Sequence, residues 1–321
     1  MAKRKHGITS SSTEEEREGC ADGNKRVKRQ RQRQRQDESY DDSNMNEIYN
    51  HAAQFQGVMR KYWSQRYNLF SRYDDGVVLT KELWFSVTPE NVSKYIARFI
   101  QRKLRERYPD VDQFTILDTF CGGGGNVAQF LMEGMQVYAV DINRTHLMCT
   151  ENNAIVYVGA EACKEQLHTM AIDWSVLREK EKEKEKQEDG AVDDVVDDDN
   201  FASSTESIAN IATLQSTHID AVFGSPPWGG PQYLSASVYD LESGLAPLSL
   251  TEQLLEMQRR FGRGVGLCLF LPRNSDMDQL RAATAAAGYD AVHVVRLASG
   301  PYHKGVLACW GCLSTNSVSK L

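Results

Sequence analysis

The sequence predicts an α/β protein with a doubly wound, mostly parallel seven-stranded sheet, whose last two strands form an antiparallel hairpin, preceded by a small helical subdomain. Three observations lead to this prediction. Short apolar runs of strand length alternate with helical segments, which is typical of βαβ units. A glycine-rich turn follows the first of these runs. The last two runs are joined by a connection too short to hold a crossover helix.

The first 45 residues are polar and repetitive, and they contain almost no large apolar side chains, so residues 1–45 are predicted to be a disordered basic tail. Residues 1–36 carry eleven Lys/Arg against five Asp/Glu. The cluster Lys25-Arg-Val-Lys-Arg29 suits a nuclear-import signal or an RNA-contacting arm, with a merely solvated tail as the plainer alternative.

Residues 46–110 are predicted to form the helical N-terminal subdomain. Apolar side chains recur at helical spacing from Ile48 to Phe70 and again from Val92 to Leu104. Between these runs, Thr88 is expected to cap a helix that has Pro89 at its first position and Glu90 in its first turn.

Residues 111–316 are predicted to form the sheet domain. Six apolar runs predict strands, and a weak third strand is expected before Asp173; the six are Phe114–Leu117, Gln136–Val140, Ile219–Phe223, Val265–Leu271, Ala291–Leu297 and Val306–Trp310. Residues 179–217 interrupt this pattern, and their first part, 179–199, carries eleven Asp/Glu against four Lys. This composition predicts an acidic disordered insertion between the third and fourth strands.

Composition narrows the function classes. The seven irregularly spaced cysteines argue for reduced thiols, and the pair in Cys309-Trp-Gly-Cys312 has no partner pair nearby, so no metal is expected. No apolar run reaches about 18 residues, which predicts an intracellular protein without membrane contact. Because the net charge is −7, an anionic substrate must be held by a few placed cations rather than by a broadly basic surface.

The glycine-rich turn Leu117-Asp-Thr-Phe-Cys-Gly-Gly-Gly-Gly-Asn126 ends the first strand, at the edge where doubly wound sheets bind cofactors. A carboxylate at Asp118 can pair with the ammonium of a methionine moiety and would repel a pyrophosphate, which favours S-adenosylmethionine over a dinucleotide. Asp141, at the end of the second strand, is placed to accept hydrogen bonds from ribose hydroxyls. Asp173 could accept one from the adenine amine, or it could simply cap a helix.

The segment Ser225-Pro-Pro-Trp-Gly-Gly-Pro231 directly follows the fourth predicted strand. It resembles the signature of methyltransferases that act on exocyclic amines of nucleic-acid bases. Because the prolines fix φ, the Pro226 carbonyl and the Ser225 side chain can accept hydrogen bonds from an amine and position it. Trp228 offers a flat face, on which a cationic base such as 7-methylguanine gains about 0.5–2 kcal/mol. A core tryptophan is the alternative.

Several motifs in one order resemble the trimethylguanosine synthase family, which converts 7-methylguanosine caps of small nuclear and nucleolar RNAs to 2,2,7-trimethylguanosine. The resemblance covers about residues 60–313. Its motifs are Lys61-Tyr-Trp-Ser-Gln-Arg-Tyr67, Ser71-Arg-Tyr-Asp-Asp-Gly76, Trp84-Phe-Ser-Val-Thr-Pro-Glu90, the glycine-rich turn, the segment from Ser225 to Pro231, and Leu271-Pro-Arg-Asn274. It implies the class I S-adenosylmethionine-dependent methyltransferase fold.

The resemblance also implies roles for individual residues. The cofactor would be held by Phe85, Thr88, Pro89, Glu90, Asp118, Cys121, Gly122, Asn126, Asp141 and Asp173. The catalytic residues would be Ser225, Pro226 and Trp228, and the cap would be bound by Trp228, Tyr233, Arg273 and Asn274. An arginine fork suits phosphate, and His303 and Lys304 of the hairpin loop would add charge there. One departure from the family is a turn with four glycines, without the usual bulkier residue, which predicts a looser turn.

The implied function is methyl transfer from S-adenosylmethionine to N2 of 7-methylguanosine RNA caps, in the nucleus, with nucleolar and some cytoplasmic residence left open. Capped RNA is the expected partner, small ribonucleoprotein proteins are further candidates, and a monomer is expected. One alternative is another base amine methyltransferase, acting on rRNA guanine N2 or adenine N6. The other is a non-catalytic RNA-binding scaffold on the same fold. The presence of Asp118, Asp141 and the Ser225-Pro-Pro-Trp228 segment argues against it, since a protein without activity would be free to lose them.

Overall fold

The computed structural model describes residues 48–177 and 200–314. The predictions made for the basic tail 1–45 and for the acidic stretch 179–199 fall outside these residues. The seven strands are β1 (Thr115–Asp118), β2 (Gln136–Asp141), β3 (Leu167–Ala171), β4 (Ala221–Gly224), β5 (Gly266–Pro272), β6 (His293–Ser299) and β7 (Tyr302–Trp310).

The strands form one sheet in the order β3-β2-β1-β4-β5-β7-β6. Strands β1 to β5 pair in parallel, whereas β7 runs antiparallel to both β5 and β6. Each predicted strand is present, with its bounds shifted by a few residues, and the predicted fold class is confirmed. Because the parallel strands point the same way, the residues that follow β1, β2, β4 and β5 meet at one edge of the sheet.

Helices cover both faces of the sheet. They are α1 (Arg60–Ser64), α2 (Arg66–Leu69), α3 (Leu83–Ser86), α4 (Glu90–Arg107), α5 (Gly125–Met132), α6 (Arg144–Val158), α7 (Ala160–Gln166), α8 (Ser204–Ser216), α9 (Leu250–Phe261) and α10 (Met277–Ala286). Buried side chains of α4, α5 and α6 pack on one face of the sheet, and those of α8, α9 and α10 pack on the other. None of these helices in the described ranges is long and apolar enough to cross a membrane.

The N-terminal segment is less regular than its apolar spacing predicts. The stretch from Ile48 to Phe70 contains two short 3-10 turns followed by α1 and α2, and Ile48 pairs with Thr80 in an isolated bridge. Its aromatic side chains instead pack together around Trp84, whose ring lies 4.7 Å from that of Phe55. The prediction of continuous helical structure from Ile48 to Phe70 was therefore wrong, because the packing of large aromatic rings determines the backbone conformation here.

The prediction of an unfolded insertion is wrong for its last part. Ser204–Ser216 forms α8, and Ser203 caps it by accepting a hydrogen bond from the Glu206 amide. Ile211 and Leu214 of this helix are buried against the sheet. Ile211 and Leu214 are three residues apart, a spacing that the surrounding Ser and Thr residues obscure in the sequence. Packing of these two side chains against the sheet is enough to stabilise a helix of this length.

Candidate active site at the carboxyl edge of the sheet

Asp118 ends β1 and is fully buried. Its Oδ1 accepts a hydrogen bond from the Phe120 amide, 3.3 Å away, while its Oδ2 is buried with no hydrogen-bond partner among the described residues. Burial raises the pKa of Asp118 to about 8; the Phe120 hydrogen bond opposes the rise, and the charge of Asp141 adds to it. A buried carboxylate oxygen without a partner is the arrangement that a cationic ligand group would stabilise.

The four glycines that follow are packed tightly. A Cβ on Gly123 would lie 2.8 Å from Leu79 Cδ2 and 2.9 Å from Val87 Cγ2, and one on Gly124 would lie 2.9 Å from the backbone of Thr150. Gly124 also has a φ of +74°, which side chains other than glycine rarely adopt. The expectation of a looser turn was wrong, because side chains of the N-terminal segment occupy the space that a bulkier residue would need.

One face of α6 fixes the backbone of this turn. The Thr150 hydroxyl donates to the Gly122 carbonyl at 2.8 Å, and the Asn153 amide donates to the Gly123 carbonyl at 2.9 Å. Asn153 also exchanges two hydrogen bonds with the backbone of Val78. Neither Thr150 nor Asn153 is among the residues predicted from the sequence to form the site. Their signal was the spacing of His146, Thr150 and Asn153, three polar residues on the helix face that turns inward.

Asp141 lies at the end of β2, beside the same turn. Its Oδ2 accepts a hydrogen bond from the Gly122 amide, and its Oδ1 accepts one from the Asn143 amide. The buried ring of His146 contacts the same carboxylate through Nδ1 at 3.2 Å and the Thr80 hydroxyl through Nε2 at 3.3 Å. Burial lowers the pKa of His146, but the hydrogen bond to Asp141 and the nearby carboxylates outweigh it, so the pKa is raised overall. His146 thus orients Asp141.

The predicted helix cap at Thr88 is corrected by the structure. The helix α4 begins at Glu90 with Pro89 as its N-cap residue, and the buried Thr88 hydroxyl accepts a hydrogen bond from Asn126 at 3.2 Å instead. The Asn126 Oδ1 atom is buried without a partner among the described residues. A proline at the N-cap leaves Thr88 free to contact α5, and so these residues join the N-terminal segment to the glycine turn.

Other predicted cofactor residues have local partners. Glu90 accepts hydrogen bonds from the Ser71 hydroxyl at 2.8 Å and the Tyr157 hydroxyl at 2.6 Å. Asp173 accepts two from Ser175, in the turn after β3. Cys121 is buried, and its amide donates to the backbone of β2. These contacts give Glu90 and Asp173 local structural partners, and the helix-cap alternative for Asp173 agrees with its hydrogen bonds.

The loop from Ser225 to Trp228 follows β4 at the same edge. Neither the Ser225 hydroxyl nor the Pro226 carbonyl has a hydrogen-bond partner within residues 48–177 and 200–314. The half-buried Trp228 ring packs 5.3 Å from Phe270 and 5.3 Å from Tyr233, measured between ring centroids. Its Nε1 atom is buried and, in the described part of the chain, unpaired. Two acceptors and one donor are therefore available beside an indole.

The loop after β5 completes this side of the site. Burial raises the pKa of the Tyr233 hydroxyl, and the positive charge of the nearby, exposed Arg273 partly opposes this rise. Asn274 differs from the prediction, since its amide nitrogen donates to the carbonyls of Tyr233 and Ala236 and so holds the loop that carries Tyr233. The helix α3, which contains Phe85, lies beside that loop. The described residues contain no cluster of His, Cys, Asp and Glu that could hold a metal.

Comparisons with known proteins agree with this geometry. Residues 113–313 match the family model described as RNA cap guanine-N2 methyltransferase. The trimethylguanosine synthase of Saccharomyces cerevisiae is 34% identical over 258 residues, which cover 79% of this chain and 68% of that protein. The enzyme of the same name from Schizosaccharomyces pombe is 31% identical over 240 residues, covering 74% and 77%.

A solved structure, human methyltransferase 10 domain containing protein, has the same fold at a TM-score of 0.50 and 10% identity, covering 78% of this chain and 98% of that one. The sheet edge and the family match define an S-adenosylmethionine-dependent methyltransferase. The chain belongs to the RNA cap guanine-N2 methyltransferase family.

The raised pKa of Asp118 predicts an effect on stability. In the unfolded chain this carboxyl has a pKa of 3.8, and in the folded chain about 8. Between these values the unfolded state releases a proton that the folded state keeps, so the contribution of Asp118 to the stability of the ligand-free protein falls as the pH rises from 4 to 8. Asp118→Asn should remove this loss and raise the free energy of unfolding at pH 8 by more than ~1 kcal/mol.

Denaturant unfolding at pH 5 and pH 8 measures this difference. The exposed Asp110→Asn is the matched control and should keep the pH dependence of the wild type. If Asp118→Asn were no more stable than the wild type at pH 8, the carboxyl would not be a strained buried charge.

Proposed function

We propose that this chain transfers methyl groups from S-adenosylmethionine to the exocyclic N2 of 7-methylguanosine RNA caps, forming 2,2,7-trimethylguanosine on small nuclear and nucleolar RNAs. One observation carries the proposal. An indole and two oxygen acceptors without hydrogen-bond partners among the described residues follow β4, at the sheet edge where the buried carboxylate Asp118 ends β1. Capped RNA is accordingly the substrate of the family to which the chain belongs.

The residues after β1 and β2 fit S-adenosylmethionine. The Oδ2 atom of Asp118, which has no hydrogen-bond partner among the described residues, suits an ammonium group. Asp141 suits ribose hydroxyls, because its carboxylate oxygens have several lone pairs and the hydrogen bond that Oδ2 accepts from Gly122 occupies one of them. When bound, this cofactor supplies an electrophilic methyl group on a sulfonium sulfur.

The residues after β4 suit the amine that receives the methyl group. The Pro226 carbonyl and the Ser225 hydroxyl can each accept one N–H of the amine, which leaves the nitrogen lone pair to face the cofactor side of the site. Their backbone is held by the two prolines, so the acceptors need no reorganisation when the substrate arrives. The chain's contribution to the rate is thus positioning, since the methyl donor already carries its own positive charge.

Trp228 accounts for the choice of a methylated guanine. Methylation at N7 makes the guanine cationic, and a cation on an indole face is stabilised by about 0.5–2 kcal/mol. Its contacts with Phe270 and Tyr233 hold the ring at a set angle, and exposed Arg273 nearby suits the cap's phosphates. Tyr233 is itself held by Asn274, so the latter acts on the substrate side as a positioning residue.

A transfer assay tests the proposal. The purified chain should transfer tritiated methyl from S-adenosylmethionine to 7-methylguanosine diphosphate, and to GDP at a rate about two- to thirtyfold lower, as the loss of a cation–π contact predicts. Mass spectrometry of the product should place both methyl groups on N2. Equal labelling of the two nucleotides would remove the cap assignment and favour another base amine.

The tryptophan variants separate stacking from packing. Trp228→Ala should reduce kcat/KM for 7-methylguanosine diphosphate by more than about 100-fold, because stacking and amine placement are lost together. Affinity for S-adenosylhomocysteine, measured by calorimetry, should stay within about threefold of the wild type, whereas Trp228→Phe, which keeps an aromatic face, should retain part of the activity. Loss of cofactor binding in Trp228→Ala would mean that the ring is part of the core.

Nuclear residence is proposed on the basis of the cluster Lys25-Arg-Val-Lys-Arg29. A fluorescent fusion of the full chain should lose its nuclear enrichment when the four cations are replaced by alanine, and not when the acidic run Glu14–Glu16 is replaced. Nuclear enrichment that survives the first replacement would exclude this cluster as the signal. Small ribonucleoprotein partners and a monomeric state stay predictions of the sequence.

A further inference from the structure

The β6–β7 hairpin reaches the site edge of the sheet. Pro272, the last residue of β5, pairs with Gly305 of β7, and Ser299 pairs with Tyr302 at the hairpin's end. Because β7 runs antiparallel to β5, residues 299–304 lie at the edge where β5 ends and Arg273 follows. The hairpin end is thus a neighbour of the proposed cap-binding residues.

An irregularity in the hairpin places a cation at this point. Leu297 pairs with Gly305, but the next residue of β6, Ala298, pairs with His303, so Lys304 is an extra residue in a β-bulge. Bulges redirect side chains and often occur beside functional sites. Lys304 has no carboxylate partner among the described residues.

Gly305 allows β7 to pack closely against Phe270 and Leu271 of β5. A Cβ at this position would lie 2.5 Å from the Leu271 carbonyl oxygen and 2.5 Å from a ring carbon of Phe270. Phe270 in turn packs against Trp228. The hairpin is therefore joined to the proposed base-binding ring through one intervening side chain.

The start of α4 lies on the other side of the hairpin. The side-chain amide of Asn91 donates to the Ser299 hydroxyl at 3.0 Å. Lys94 and Tyr95 follow Asn91 by three and four residues, so they lie on the same face one helical turn away. The Tyr95 side chain is 45% exposed although it stacks on Phe99.

The chemistry of this area differs from that of the chain as a whole. The net charge of the chain is −7, yet neither 91–98 nor 298–305 contains an acidic residue. Tyr302, at the hairpin end, is 67% exposed, and His303 beside it is also exposed. Lys94, Tyr95, Tyr302, His303 and Lys304 are here called the hairpin surface. The nearby Arg98 is already paired with Glu133 and is not included.

We propose that the hairpin surface binds the single-stranded RNA nucleotides that follow the cap. This inference rests on the proposed function and adds to it the path of the RNA chain. Aromatic rings that stack bases, alternating with cations that contact phosphates, are how proteins hold single strands without reading their sequence. A protein partner would need a more apolar centre than two tyrosines among cations supply.

Comparing a short substrate with a long one tests this surface. In the wild type, KM for a decanucleotide carrying a 7-methylguanosine cap should be at least about tenfold lower than KM for the cap dinucleotide, as stacking of one or two bases predicts. The double variant Lys94→Glu, Tyr302→Ala should lose this difference and leave kcat and KM for the dinucleotide unchanged. Unchanged dinucleotide kinetics also show that the variant is folded.

The matched control is Lys164→Glu. Lys164 is exposed on α7, just before the start of β3, and so lies at the opposite edge of the sheet. It makes the same charge change as Lys94→Glu and should leave both KM values unchanged. The dependence of decanucleotide KM on salt gives a second readout, because each lost phosphate contact should lower the log–log slope by about 0.7.

The outcomes separate the two proposals. If the wild type does not methylate the cap dinucleotide, the proposed function is wrong. If it does, but the two substrates have equal KM, the RNA does not contact the hairpin surface. A tenfold preference for the decanucleotide that survives in the double variant would place the RNA elsewhere and would leave the surface to a protein partner.

Discussion

The close packing around the glycine turn after β1 is the constraint on which the rest of the structure depends. The turn has no room for side chains because Leu79 and Val87 approach it from the N-terminal segment and Thr150 approaches it from α6. Hydrogen bonds from Thr150 and Asn153 fix its carbonyls in that position. The N-terminal segment thereby supports the glycine turn, since removing its side chains would leave the glycines without their packing partners.

The buried carboxyl group of Asp118 is the second feature that constrains this edge of the sheet. Its burial is unfavourable in the ligand-free protein, where no cation lies against Oδ2 in the described part of the chain. Buried carboxyl groups with raised pKa values are common at ligand sites. A ligand cation stabilises the ionised form, so that the cost of burying the charge is offset only when the ligand binds. Asp141 differs, since backbone amides and His146 already satisfy part of its hydrogen-bonding capacity. Two neighbouring carboxylates thus offer different environments to one ligand.

The substrate side depends on Phe270, a buried residue of β5. It contacts Trp228 after β4 and lies where a side chain at Gly305 of β7 would clash, so it joins three strands at the site edge. The antiparallel hairpin, whose strand β7 pairs with β5, therefore lies next to the proposed base site. Phe270 therefore brings the proposed cap-binding residues and the hairpin together at one edge of the sheet.

The sequence by itself determined the fold class and the positions in the chain of the glycine turn, Asp118, Asp141 and the loop after β4. Strands and turns can be recognised in this way because they carry local patterns of apolar, glycine and proline residues. Tertiary structure alone decided the partners of the other site residues: Asn274 holds a loop, and Thr88 contacts α5 instead of capping a helix. It also decided that 204–216 is a helix. These outcomes depend on contacts between residues far apart in the chain, and no local spacing records which distant side chain will meet a given hydroxyl or amide.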